Sequence, residues 1–151
     1  MPVVSNSSPI IAFERIGELD LLRAIFPALV IPPAVAGEIA TVTAVPAWVT
    51  VQSLARRLDA RTLVPGLGAG EREAISLAVE TRATWLLLDD QAARQVARTI
   101  GLPVIGTVGV LLAAKRRGLV SAVRPYLARL GSSGFFMRRE LLERVVRLAG
   151  E

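Results

Sequence analysis

The stretch from Gly68 to Ile105, GAGEREAISLAVETRATWLLLDDQAARQVARTIGLPVI, alternates between two structural periods. Behind Gly68 and Gly70, the apolar residues Ala74, Ile75, Ala78 and Val79 recur at helical spacing, and the unbroken apolar run Trp85 to Leu88 follows. A run so short and so apolar suits a parallel strand covered on both faces. It stops at two adjacent carboxylates, Asp89 and Asp90. Ala92, Ala93, Val96, Ala97 and Ile100 then mark a second amphipathic helix, and Val104-Ile105 a short strand. Charge therefore stands at the carboxyl end of a buried strand, where open α/β sheets hold their ligands.

The rest of the chain repeats this alternation on both sides. Pro2 to Ser5 is a short strand candidate ending at Asn6-Ser7-Ser8-Pro9, where Ser7 or Ser8 is expected to cap a helix whose first residue is Pro9. Helices are expected over Ile10 to Ile16 and Glu18 to Phe26, a strand at Leu29 to Ile31, and a helix over Ala34 to Ala40 that carries Glu38. Trp48 to Val51 predicts an edge strand, and Arg56 to Leu67 a loop with a helical turn. Beyond Ile105, Gly106-Thr107 caps a helix over Val108 to Arg117, and two last helices, Ser121 to Leu130 and Arg138 to Leu148, flank Gly131-Ser132-Ser133-Gly134. Strands alternating with helices predict an α/β fold, a three-layer α/β/α sandwich with a central parallel sheet, in a single domain over residues 1–151. The first strand and Trp85 to Leu88 are expected side by side at its centre. That pairing brings Asn6 and Asp89 to one sheet edge.

Composition narrows the chemistry. Eighteen Lys+Arg against thirteen Asp+Glu give +5, which suits an acidic partner such as nucleic acid. With no cysteine and no histidine, disulfides, thiolate nucleophiles, Cys/His zinc sites and imidazole acid/base catalysis are excluded. Carboxylates, hydroxyls, amides and arginine remain. The absence of a leader-like amino terminus and of any apolar run near the ~18 residues of a spanning helix leads us to expect a soluble, cytoplasmic chain with no membrane partner.

Four acids, Glu38, Glu71, Asp89 and Asp90, are candidates for one site, with Asn6 and Ser7 nearby. Hard cations such as Mg²⁺ or Mn²⁺ take oxygen ligands, lower the pKa of a bound water and neutralise phosphate charge. Each acid also has a plainer role open to it. Glu71 stands in the first turn of its helix, where any carboxylate is favoured by the dipole. Either Asp89 or Asp90 serves as an N-cap for the helix that follows. Glu38 alone would be a solvated residue, and Glu73, Glu80, Glu140 and Glu143 look like plain surface charge. Arg94, Arg98 and Lys115 are placed to line a path for a phosphate backbone.

Five motifs together resemble the PIN-domain superfamily, in its small prokaryotic branch related to the toxins of VapBC toxin–antitoxin pairs. They are Val3 to Ile11, Ile31 to Ile39, Gly68 to Ile75, Leu86 to Asp90, and Val104 to Leu111. The resemblance implies an acidic pocket that binds Mg²⁺ or Mn²⁺ and cleaves RNA, usually single-stranded, by metal-activated water. It places Glu38, Glu71 and Asp89 at the family's second, third and fourth acids, as the metal ligands. Asn6 stands where the family has its first acid, with Ser7 at the adjoining hydroxyl and Asp90 as an extra neighbour. A neutral amide oxygen still ligates a hard cation, but it removes one negative charge from the site. The resemblance further implies an antitoxin partner and a homodimer, with Leu21, Leu22 and Phe26 as the apolar surface. The alternative is a catalytically silent PIN-like module that binds nucleic acid or protein.

Overall fold

Three consecutive leucines, Leu86, Leu87 and Leu88, are all fully buried in the computed structural model, which describes residues 1–151. Because successive strand residues point to opposite faces, this requires cover on both sides of the sheet. The strand they belong to, β4 (Trp85–Leu87), lies beside β1 (Val3–Ser5) in parallel register, with Val3 opposite Trp85, Val4 opposite Leu86 and Ser5 opposite Leu87. On the other flank of β1 come β2 (Leu29–Ile31) and then β3 (Val49–Val51); beyond β4 comes β5 (Val104–Ile105). The sheet is parallel throughout, in the order β3-β2-β1-β4-β5. The expected central pair is present, and the three-layer α/β fold with it. β3 is the edge strand that Pro46 and the alternation over Trp48 to Val51 predict, and Val51 is half-exposed on it. Trp85 departs from expectation. It is 40% exposed at the amino end of β4, so the buried run begins one residue later.

Eight helices connect and cover the strands: α1 (Ser7–Arg15), α2 (Leu19–Ile25), α3 (Pro33–Ala40), α4 (Ala69–Thr81), α5 (Gln91–Ile100), α6 (Thr107–Arg116), α7 (Arg124–Ser132) and α8 (Arg139–Leu148). The least regular stretch of sequence contains one 3₁₀ turn, Ala60–Thr62, capped by Asp59. One continuous core of 33 buried apolar residues unites these elements, with Phe13 of α1 and Leu86 to Leu88 fully enclosed. Leu21, Leu22 and Phe26 belong to it. These three are therefore not an exposed face for a second copy; the helical period turns them into the core.

Two acids expected as plain surface charge instead tie segments together. Glu73 accepts from the Ala34 amide at the start of α3, 3.2 Å away, and Glu80 accepts from the amides of Ala55 and Arg56 at 2.9 and 2.7 Å. Each satisfies backbone donors that no strand or helix partner reaches. Lys115, at the far end of α6, pairs with Glu151 at 2.9 Å. It stands at the end of α6 opposite the one that meets the sheet's carboxyl edge, so it lines no path to that edge.

Between β1 and β4 the order of connection reverses, since the chain leaves β1 toward β2 and β3, then crosses to β4 and β5. Such a switch point opens a crevice at the carboxyl ends of the strands. Asn6 follows β1 there, and Leu88-Asp89 follows β4.

Candidate active site

Asn6 continues the sheet by one bond, donating its amide to the Leu87 carbonyl at 2.9 Å, and then serves as N-cap of α1 in an extended conformation. The sequence led us to expect a serine cap and Pro9 as the first helical residue. Instead the helix starts at Ser7, and Pro9 is its third residue. That displacement matters chemically. A capping side chain normally accepts from the second or third helical amide, and proline has no amide to give. Asn6 makes no capping bond, and its Oδ1 is buried with no hydrogen-bond partner. A buried carbonyl-type oxygen left without a donor costs about 1–3 kcal/mol, so it calls for an explanation.

Glu38 and Gly70 lie against that oxygen. A Cβ built on Gly70 would come within 1.8 Å of Glu38 Oε1 and 3.3 Å of Asn6 Oδ1. The Ser7 hydroxyl donates a long bond of 3.4 Å to Glu38 Oε2. Partial burial of the Glu38 carboxyl and the negative charge of Glu71 beside it raise its pKa above the ordinary value; the Ser7 hydroxyl opposes the rise and Glu73 adds to it. Ionised Glu38 is thus held among oxygens and like charge. Glu71 itself stands in the third position of α4 and accepts from the Gly68 amide at 3.0 Å, so the capping role and a place in the crevice belong to one side chain.

Asp89 meets the crevice from the other side. Its Oδ1 accepts from the Thr107 amide at 2.7 Å, and its Oδ2 accepts from the Thr107 hydroxyl at 2.6 Å and from the Ser8 hydroxyl at 3.1 Å. Buried Thr107 is thereby the residue that sets the carboxylate plane. Gly106, just before it, allows the close approach: a Cβ there would meet Arg94 Nη1 at 2.6 Å and Asp89 Oδ1 at 2.9 Å. Arg94 donates to the Leu88 carbonyl at 2.9 Å. Half-buried, it steadies the end of β4 rather than reaching outward for phosphate, and burial followed by the neighbouring Arg98 charge lowers its pKa. Arg98 stays exposed on the same helix.

Asp90 has a different job. Its Oδ2 accepts from the Ala93 amide at 3.0 Å, as an ordinary N-cap of α5. Asp90→Ala should therefore cost about 1 kcal/mol of folding stability and leave cation binding close to wild type; denaturant unfolding beside a cation titration checks both.

The sequence gives no sign of a site role for Gly70, Ser8 or Thr107. Small residues in this stretch read as helix starts and turns, and only the packing shows what they approach. Asn6, Ser7, Glu71, Asp89 and Asp90 line one open cavity of about 900 Å³, continued by Ile11 and Arg15 of α1 and by Phe136 and Arg138 beyond α7.

A PIN-domain family model matches residues 2–151. The chain belongs to the PIN-domain family. A PilT N-terminus domain protein from the hyperthermophilic archaeon Sulfolobus solfataricus P2 is 16% identical, at a TM-score of 0.46 over 92% of this chain and 98% of that one. No curated protein matches.

PIN domains generally include nucleases and are generally dependent on divalent metal. In this PIN domain no three acids stand close enough to hold a metal ion by themselves. Glu38 and Glu71 are paired on one side of the crevice, and Asp89 is bound to Thr107 on the other. The donor set fits a hard cation nonetheless, because every available atom is oxygen and the orphaned Asn6 Oδ1 adds a neutral ligand next to Glu38. The fit is to oxygen-preferring ions, not to zinc, which favours nitrogen and sulfur.

Proposed function

We propose that this PIN domain is a Mg²⁺- or Mn²⁺-dependent ribonuclease that hydrolyses single-stranded RNA. The observation that carries the reading is Asn6 Oδ1, buried without a donor and packed beside a carboxylate with a raised pKa. A bound cation would satisfy the first and offset the charge repulsion at the second. Asn6 with Glu38 and Glu71 would hold it on one side of the crevice, and Asp89, across the crevice, would reach it through a bound water rather than as a third direct acid.

The cation, when bound, supplies a water of lowered pKa and a Lewis acid for the phosphate oxygens. The carboxylates of Glu71 and Asp89 border the cavity, placed to take the proton of the attacking water. The water oxygen would form a bond to phosphorus as the bond to the leaving sugar oxygen breaks, and that oxygen would take a proton from solvent while the carboxylate returns its own to solvent. Thr107 and Ser8 keep Asp89 fixed during this exchange, so its geometry needs no reorganisation. Ser7 lines the same cavity, and its hydroxyl would turn from Glu38 to a phosphate oxygen.

One observation favours a second reading. Asn6 is a neutral residue at the crevice, where the family resemblance implies an acid, and a site with one charge fewer binds cation more weakly; in this case the domain binds nucleic acid or an antitoxin without cutting. Purified protein with Mn²⁺ should degrade an unstructured RNA and should leave it intact in EDTA. No cleavage together with no Mn²⁺ binding in calorimetry would establish the silent module. RNA affinity should also fall steeply between low and moderate salt, as phosphate contacts release counterions. A flat salt dependence would remove the backbone contact from the reading. A toxin-like role, with an antitoxin partner and a homodimer, extends the proposal; a short reading frame for a DNA-binding antitoxin in the same operon would support it.

A further inference from the structure

Where α7 ends, Gly134 takes φ +98°, its amide bonds back to Gly131 and the next amide, of Phe135, bonds back to Leu130. This glycine-terminated helix end throws the chain into an extended run, and burial then alternates along it. Phe135 and Met137 turn toward the protein and pack against the core, while Phe136 and Arg138 turn to solvent. Phe136 is 82% exposed, more than any other large apolar residue in the chain. A phenyl ring held in water on a fixed backbone is unfavourable unless something covers it.

Its position says what. Phe136, Arg138 and Arg15 of α1, all exposed, line the same cavity as buried Asn6 and the carboxylates Glu71 and Asp89. The lining is basic and aromatic at Arg15, Phe136 and Arg138 and acidic at Glu71, Asp89 and Asp90. A peptide has no anion to offer the arginines at each step, whereas a nucleic acid strand presents alternating phosphates and flat bases. We infer that Phe136 is a stacking platform for one nucleobase of a single-stranded nucleic acid, with Arg138 and Arg15 holding the phosphates on either side of it. The inference rests on the nuclease reading for the acidic residues, and on Phe136, Arg138 and Arg15 for itself. Base–aromatic stacking tolerates every base, so this ring would fix the strand's position without selecting its sequence.

The test is binding of the full chain to a fluorescein-labelled oligouridine, read by anisotropy with Ca²⁺ present, beside an abasic ribose-phosphate chain of equal length. Phe136→Ala should weaken oligouridine binding about tenfold and leave the abasic chain unaffected. Phe136→Trp should restore the affinity. Arg138→Ala should weaken both ligands and flatten the salt dependence. Oligouridine binding unchanged in Phe136→Ala, an equal loss on both ligands, or no binding by the wild type would each overturn the inference. So would a concentration-dependent dimer in sedimentation that Phe136→Ala abolishes, since the ring would then cover a second copy. The two readings fail separately. Phe136-dependent binding with no cleavage in Mn²⁺ removes the nuclease and keeps the platform, while cleavage with Phe136-independent binding does the reverse.

Discussion

Gly70→Ala should abolish divalent-cation binding while leaving the melting temperature unchanged or slightly higher. The added methyl would stand 1.8 Å from Glu38 Oε1 and 2.9 Å from its Cδ, distances that no pair of atoms sustains. What yields is the far end of an exposed glutamate on α3, which can swing into water at little cost to the fold. Meanwhile alanine is preferred over glycine within a helix by about 0.5–1 kcal/mol, and less than this applies so close to the start of α4. The net effect on folding is near zero or favourable. The effect on the site is not. Expelling Glu38 removes a carboxylate from the neighbourhood of Asn6 Oδ1, and Mn²⁺ affinity measured by calorimetry should drop about a hundredfold or more, with RNA cleavage falling in parallel. A variant that melts like wild type and still binds Mn²⁺ with wild-type affinity would show that Glu38 does not serve the site. Few substitutions separate stability from function so cleanly, because the colliding atom is a functional one at the tip of a flexible chain.

That role of Gly70 marks the limit of what the sequence discloses. The buried run Leu86 to Leu88, the edge character of Val49–Val51 and the approach of Asn6 to the end of β4 follow from period and run length, which are local properties that burial must respect. The positions of the acids along the chain are equally legible. Their partners are not, since a hydroxyl such as Thr107 or Ser8 binds Asp89 from 18 or 81 residues away and leaves no periodic trace. Local patterns also mislead where two rules compete. Ser7-Ser8-Pro9 satisfies the preference for serine caps and for proline in the first turn, yet the strand bond from the Asn6 amide to Leu87 fixes the start of α1 two residues earlier than proline alone would put it. The consequence is the unpartnered Asn6 oxygen. Leu21, Leu22 and Phe26 show the same competition, since a short helix with apolar residues on most sides gives no sign of which side meets the core.

Asp89→Asn is expected to reduce RNA cleavage by about two orders of magnitude or more, with only a modest loss of stability. The substitution is isosteric, and the Asn oxygen can still accept from the Thr107 amide that now stands 2.7 Å from Oδ1. On the other branch an amide nitrogen replaces Oδ2, and the hydroxyls of Thr107 and Ser8 must rotate from donating to accepting. Hydroxyls can do so without displacement. The cost is the difference between charge-assisted and neutral hydrogen bonds, about 1 kcal/mol, visible as a small shift in the denaturant midpoint. The chemistry loses far more, because the carboxylate is both the negative charge facing the cation and a candidate acceptor for the water proton, and the amide is neither. Single-turnover cleavage in Mn²⁺ separates this from weaker binding: if saturating Mn²⁺ restores the rate, Asp89 only attracts the ion, and if it does not, Asp89 takes part in the reaction. Cleavage that survives at the wild-type rate would place the activity elsewhere or in a contaminant. Asp90→Ala is the internal control, since it removes an adjacent carboxylate of equal charge that is committed to the Ala93 amide. Only a site built on geometry, not on net acidity, distinguishes two neighbouring aspartates in this way.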